Sequence, residues 1–495
     1  MKPNTNTVIT KPKHTSTRKA KSNSSRAKSM LLRFGVFATC LTAVIFTLTA
    51  VLDPLQFYHK TTWYKPFLSS DARYQNPGLA KNYDYDTIII GTSMTQNFLP
   101  SEVGQALGGT AMKLSIEGST ADEHYYTAKL ALETGKVKKV LWGLDYFSLK
   151  ANTKQASEQF PSYMYDDIWW NDYKYLFNYS VYDQLFKSLY GKMLGNKGRE
   201  LEYLNNWNQK ATFGAEEVMK SYNKASQRDV YFGINEESLD VVQKSFTDNI
   251  LSLVEAYPDV EFYFYYPPYS ILRQTMWQES NPARFNNQIT MRKWMFEQFA
   301  AHDNVKLYDF QTESEWTYNL ELYKDLSHHK QDVNSWIAAA IGRDDVKYRV
   351  TRENIDELNN KLNTDTLHAM VTPEPGVWNM FTTIQGQEAN FTSRAWAGKQ
   401  DLMVPVKEFV KALDAQWTWD KNTRTMQLSS QGHKLQMTVG NTEAIAPSGN
   451  LSMETPPQLI DGVTMIPMVW VAKQLGWDTE IDEGMYETRI NLDPV

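Results

Sequence analysis

The 495-residue chain predicts an α/β protein: a three-layer α/β/α stack on a parallel sheet, with an apolar helix before it and a small α+β repeat domain after it. Three observations predict this. Short apolar runs alternate with long helical segments between Thr87 and Phe310, the pattern of parallel strands joined by right-handed helical crossovers. An uncharged stretch follows a basic tail near the N-terminus. The last hundred or so residues contain two copies of one small unit.

The tail, Met1 to Arg33, carries nine Lys or Arg and no Asp or Glu, and reads as disordered and cationic. Phe34 to Leu52 then has no charge over nineteen residues, close to the roughly 20 that cross a bilayer as a helix. Basic residues stay on the cytoplasmic side, so the tail is expected inside and the bulk of the chain outside, held at the cell membrane by one span. A cleaved signal peptide is the rival reading, but its apolar region is usually only about 7 to 15 residues long, behind a short basic region. Leu48-Thr49-Ala50 is also a poor cleavage site.

Taking the tail's nine positive charges from 51 leaves 42 Lys plus Arg against 57 Asp plus Glu, a formal charge of −15. That balance excludes a nucleic-acid partner, which requires a basic surface. The single cysteine, Cys40, lies in the apolar run, so the exported part has no disulfides and depends on core burial. Such usage suits a Gram-positive surface. Aromatic residues make up 13% of the chain, which serves core packing first and stacking on sugars second.

Residues 53–80 read as an irregular connector and 81–365 as the α/β unit. Thr87-Ile88-Ile89-Ile90 is a buried strand ending at Gly91, and further strands are expected at Lys139 to Leu144, Glu261 to Tyr266 and Val305 to Phe310. Helical spacing marks Ser101 to Leu107, Asp122 to Thr134, Glu236 to Ala256, Pro282 to Ala301 and Gln331 to Ile341. Residues 151–235, rich in Tyr, Trp, Asn and Lys, form an insertion that either walls a cleft or is purely structural. A linker is expected at 366–379, around Pro373 and Pro375.

Beyond it, Val404-Pro405 recurs as Ile466-Pro467 at an offset of 62, and Leu413, Trp419, Asp420 and Leu428 meet Leu475, Ile481, Asp482 and Ile490. Each copy is a Val/Ile-Pro step, an amphipathic helix (Val406 to Leu413; Met468 to Leu475) and two short strands. The doubled pattern "VPVKEFVKALDAQWTWD" resembles the stalk-type domain named after the N-terminal domain of copper amine oxidases, over about 380–495. His433 is the only His there, so no metal site is expected and a spacer or wall-binding role is implied.

Ser93 follows the first strand directly in Gly91-Thr92-Ser93, at the carboxyl end of a parallel sheet, where α/β proteins bind ligands. An N-cap or turn serine is the bland alternative. Asp325-Leu326-Ser327-His328 follows the last strand, and serine attack needs a base that a carboxylate orients. An Asp three residues before a His reaches the imidazole from within one loop.

The blocks "DTIIIGTSMTQNF", "KLSIEGST", "VLWGLDYF" and "KDLSHHK" resemble the SGNH (GDSL-like) hydrolase superfamily, in its membrane-anchored branch related to the D-alanyl-lipoteichoic-acid protein DltD and to polysaccharide O-acetyltransferases. The resemblance covers about 80–360. It implies Ser93 as nucleophile, His328 as general base, Asp325 as its orienting residue, and the N–H groups of Ser93 and Gly118 as an oxyanion hole. Where the family commonly has Gly-x-Asn-Asp, this chain reads Gly143-Leu144-Asp145, so the Asn donor is absent. Asp145 is then expected to bind substrate or brace the turn, His329 to face solvent or the substrate cleft, and His124 to be structural or cleft-lining.

The resemblance implies an acyl-ester hydrolase or O-acyltransferase, with O-acetyl transfer favoured, acting on a cell-envelope polysaccharide without a cofactor. A multi-pass membrane acyltransferase would be its partner and acyl supplier. The alternative is a catalytically silent envelope assembly or polysaccharide-binding protein on the same fold.

Overall fold

A computed structural model describes residues 18–63, 67–150, 160–196, 198–226 and 237–495. The first seventeen residues of the basic tail and parts of the expected insertion lie outside these. The rest of the tail is helical: one helix runs from Arg18 to Leu52, through the stretch read as disordered. Ala20, Ala27, Met30, Leu31 and Leu32 are good helix formers, and the apolar run behind them extends the helix backwards cooperatively.

The α/β unit is built on a five-stranded sheet in the order β2-β1-β3-β4-β5, with every neighbouring pair parallel. The strands are β1 (Thr87–Ile90), β2 (Ala111–Lys113), β3 (Lys139–Gly143), β4 (Glu261–Tyr266) and β5 (Val305–Asp309). β2 is absent from the sequence reading. It has three residues, none β-branched, and pairs only with β1 at the sheet edge, so neither pattern nor propensity marks it.

β1 is buried throughout, and its alternate residues serve two cores. Ile88 and Ile90 join Val140, Trp142, Phe262 and Phe264 beneath the helices Ala121–Leu132 and Pro282–Phe299. Ile89 joins Leu141, Tyr263 and Tyr265 beneath Pro100–Leu107 and Gln331–Gly342. Each fully buried Ile or Phe stabilises the fold by about 1.5–3 kcal/mol relative to exposure. The strand order reverses between β1 and β3, which opens a crevice at their carboxyl ends.

Residues 53–63 and 67–80 are more ordered than the expected connector. Asp53 is fully buried, and its carboxylate accepts from the N–H groups of Phe57 (3.0 Å), Tyr58 (2.7 Å) and His59 (2.9 Å), turning the chain sharply at the end of the long helix. The helix Ala72–Asn82 then lies against this turn. A Cβ on Gly78 would sit 2.2 Å from the Leu55 carbonyl oxygen, so only glycine permits the approach.

In the C-terminal region both repeats show the same order of elements. Leu402–Pro405, the helix Val406–Ala412 and the strands Gln416–Asp420 and Thr425–Ser430 are matched by Val463–Pro467, the helix Met468–Gln474 and the strands Trp477–Glu483 and Glu487–Pro494. The stretch read as a linker is structured. The helix Ile355–His368 passes directly into the strand Ala369–Val371, which pairs with Val377–Ile384.

Arg292, 1% exposed, ties the sheet to its helices. Its guanidinium donates to Gln311 (2.6 Å), to Asn359 (2.7 Å) and to the carboxylate of Asp309 at the end of β5. Removing one partner of a buried ion pair strands the other in a dry interior at about 3–5 kcal/mol. Arg292→Leu is therefore expected to lower the stability of the α/β unit by that amount, read from the urea midpoint of its unfolding.

Candidate active site

Gly91 ends β1 with φ +147°, and a Cβ there would lie 2.6 Å from the Thr95 methyl. Gly143, at the matching end of β3, leaves room for the same methyl, which a Cβ would meet at 2.8 Å. Thr95 thus fills a slot between two glycines, and a single 3₁₀ turn, Ser93–Thr95, carries Ser93 over the sheet edge. The Thr95 hydroxyl donates to the Thr92 carbonyl (2.9 Å), and Asn334 Nδ2 donates to the Met94 carbonyl (3.0 Å). Lys113, at the end of β2, holds the next loop through the carbonyls of Gln96 (2.7 Å) and Phe98 (2.8 Å).

The opposite loop is closed on itself. Lys330 N–H donates to Leu322 O (2.8 Å) and Lys324 N–H to His328 O (3.0 Å), so residues 325–328 project as a tight bend. Ser270 Oγ donates to the Leu326 carbonyl (2.7 Å) and fixes the bend from below. Within it Asp325 Oδ1 accepts from the N–H groups of Ser327 (2.8 Å) and His328 (2.9 Å), and its carboxylate lies 2.9–3.0 Å from His328 Nδ1.

The two loops meet at Ser93 Oγ, 2.8 Å from His328 Nε2. Burial alone would raise the Asp325 pKa, but the His328 side chain and the two N–H donors more than offset it and hold the carboxyl well below its ordinary value. An ionised carboxylate only accepts, so the Nδ1 facing it carries the proton and Nε2 presents a lone pair to the serine hydroxyl. Ser93 is half-buried, and the His328 and Asp325 side chains are 26% and 33% exposed, so the chain of hydrogen bonds opens to solvent.

Gly118, the other expected oxyanion donor, has φ +62° in a turn closed by Ser119 N–H to Ile116 O (3.3 Å). Ile116 N–H donates to Gly91 O (2.9 Å), which lays this turn beside the one bearing Ser93, and a Cβ on Gly118 would meet only open space.

Of three other residues, Asp145 and His124 each take one of the two roles expected of them, while His329 takes neither. Asp145 does not face the cleft: it is fully buried, and its two oxygens accept from the hydroxyls of Thr92 and Tyr269, so it braces the turn instead of binding substrate. Burial raises its pKa, partly offset by those two donors. His329 is not in the cleft either. It is 1% exposed, bridged to Tyr323 and held near a pKa of about 4 by burial. Neighbouring residues on an extended bend point opposite ways, so His328 outward places His329 inward. His124 is structural: it is buried against Trp142, its Nε2 lies 2.6 Å from Ser119 Oγ, and burial lowers its pKa to about 3.

Trp207, from the insertion, was not singled out in the sequence. Its indole N–H donates to the Ser93 carbonyl (3.3 Å), and its ring stands edge-on to the His328 imidazole at 5.4 Å. Lys324 lies over its face at 4.0 Å. Asn206 and Asn208, beside it, bond to Gln331, so the insertion spans both site loops. The Trp, Tyr and Asn richness of 151–235 was the available signal, though it does not pick out one residue.

The C-terminal fold now has a name. Residues 383–490 match the copper amine oxidase N-terminal domain. Despite that name, no group of three or more His, Cys, Asp or Glu is placed to hold a metal ion among the described residues. No curated protein matches the chain. A solved structure from Streptococcus pneumonia, provisionally named a platelet activating factor, is similar at 13% identity over 56% of this chain and 91% of its own, with a TM-score of 0.30.

Two outcomes follow. Asp145→Ala removes the acceptor of the buried Thr92 and Tyr269 hydroxyls and is expected to cost about 1–3 kcal/mol per hydroxyl, measured by urea unfolding. Asp325 has a depressed folded pKa, so its stabilising contribution is full above the unfolded value of about 4 and fades as pH falls below it. The stability gap between wild type and Asp325→Asn should therefore narrow from pH 5 towards pH 2, as followed by thermal unfolding.

Proposed function

We propose that residues 81–365 form an SGNH-type serine acyl-ester hydrolase or O-acyltransferase, held outside the cell membrane by the helix Arg18–Leu52 and acting on a cell-envelope polysaccharide. The observation that carries this reading is the unbroken hydrogen-bonded chain from Ser93 Oγ through His328 to Asp325. A serine whose hydroxyl faces an imidazole, itself oriented by a carboxylate, is an activated nucleophile.

In this mechanism His328 Nε2 takes the Ser93 proton as Oγ attacks the acyl carbonyl carbon. The oxyanion that forms is met by the N–H groups of Ser93 and Gly118, each prearranged donor being worth about 3–4 kcal/mol in the transition state. Collapse expels the alcohol, which His328 protonates, and leaves the acyl group on Ser93. Water then completes hydrolysis, or a sugar hydroxyl completes transfer, with His328 again acting as base. The Trp207 ring walls His328 on one side and limits how water approaches the acyl-enzyme. The copper amine oxidase N-terminal domain serves as a spacer or wall-binding module, and a multi-pass membrane acyltransferase is the proposed acyl donor.

The missing Asn donor favours a second reading, a silent polysaccharide-binding protein. Because Asp145 turns its carboxyl away from the cleft, the hole lacks a donor but is not opposed by a charge. The two readings separate by mass spectrometry of envelope polysaccharide from cells carrying wild type or Ser93→Ala. The enzyme reading expects a difference of one acyl unit, together with p-nitrophenyl acetate cleavage that Ser93→Ala abolishes and Asp325→Asn lowers by about 10⁴-fold. Equal inertness of wild type and Ser93→Ala, with unchanged envelope acylation, establishes the silent protein.

A further inference from the structure

Within the insertion, a 3₁₀ segment, Trp169–Phe177, leads through Asn178 into the helix Tyr179–Met193. The inner face of this unit is fully committed. Val181, Gln184 and Gly191 are buried, with Gly191 against the Phe67 ring and Gln184 donating to the Phe67 carbonyl. The outer face is apolar and uncovered. At 100° per residue Tyr179, Phe186, Tyr190 and Met193 fall in one narrow arc of the helix, and all four are exposed, Tyr179 and Met193 by more than 80%. Trp169 and Trp170, in the 3₁₀ segment before it, are exposed too, at 81% and 65%. Six large apolar side chains bare within 25 residues mark a place where something other than water belongs.

The long apolar helix indicates what that is. Phe177 packs edge-on against Phe46 at 4.6 Å between ring centroids. Phe46 lies six residues before the end of that helix, about 9 Å along its axis at 1.5 Å per residue. Its neighbour Tyr175 is fully buried, stacks on Phe57, donates to Asp53 Oδ1 (2.7 Å) and accepts from Leu55 N–H (3.1 Å). Tyr58 returns a hydrogen bond to the Asp172 carbonyl (2.9 Å). The insertion is thus fastened to the point where the chain leaves the apolar helix, and Phe177 shares the depth of Phe46.

We propose that the outer face of residues 168–194 is seated in the interface of the same bilayer that the helix Arg18–Leu52 crosses. This rests on the membrane-anchor part of the proposed function. Trp and Tyr suit it, because their rings are apolar with a polar edge and concentrate at the head-group level of membranes. The catalytic domain then has two attachments, a span and a broad foot, so its orientation to the lipid plane is set as well as its distance. The competing occupant of such a face is an integral membrane protein.

The test uses the full chain in vesicles of equal parts phosphatidylglycerol and phosphatidylcholine. An environment-sensitive fluorophore is attached at native Cys40, or, in a Cys40→Ser background, at single cysteines replacing Trp170, Phe186, Met193 or, as a control, Val346, which is 85% exposed. Lipids carrying a nitroxide near the head group are then added. The expected result is blue-shifted emission, lost to the nitroxide, at positions 170, 186 and 193, with Cys40 also reporting lipid and Val346 reporting water. If Cys40 reports lipid while 170, 186 and 193 behave like Val346, the anchor stands, the foot is overturned, and the bare face belongs to a protein partner. If Cys40 itself reports water, the anchor fails and takes the foot with it.

Discussion

Asp145 sits fully buried between the turn that carries Ser93 and the segment that follows β4, and both of its oxygens accept hydrogen bonds from hydroxyls. A carboxyl in a dry interior is costly, several kcal/mol when charged, and this one is retained because Thr92 and Tyr269 meet it from two directions. In return it fixes Thr92, the residue before Ser93. The Thr95 methyl between Gly91 and Gly143 fixes the residue two places after it. With the turn held on both sides, Ser93 has little freedom left, and its 2.8 Å contact with His328 Nε2 forms without further reorganisation.

The loop bearing His328 is governed separately, by Asp325 and by its own closing hydrogen bonds, so the two halves of the candidate site need something to hold them in register. Asn206, Trp207 and Asn208 do this. They bond to the Ser93 turn on one side and to the start of the helix Gln331–Gly342 on the other. An insertion between β3 and β4 that looks dispensable on length alone thereby becomes part of the site.

What was legible in the sequence divides by range. Thr87-Ile88-Ile89-Ile90 announced its strand because a fully buried parallel strand must be apolar at every position, and the offset of 62 announced the doubled unit because repeated packing repeats its residues. Asp325 and His328 were readable as a pair because three residues of one loop bring them together locally. Ala111–Lys113 was not, since an edge strand of three residues needs no apolar pattern. Nor were the orientations of Asp145 and His329, which depend on Tyr269 and Tyr323, residues more than a hundred positions away in the first case and set by a bridge in the second. Trp207 was hidden for the same reason: its partner lies 114 residues earlier.

The helix Arg18–Leu52 has 35 residues, about 50 Å at 1.5 Å per residue, against a hydrocarbon core of about 30 Å. On the proposed topology roughly 20 Å of it therefore stands clear of the lipid on the inner side as a rigid rod, bearing Arg26, Lys28 and Arg33 at fixed heights and bearings. At its outer end the rod is clamped by the Asp53 turn to Tyr175 and hence to the α/β unit. Tilt or rotation imposed on the inner segment would reach the outer domain undamped, so the anchor can work as a lever as well as a leash.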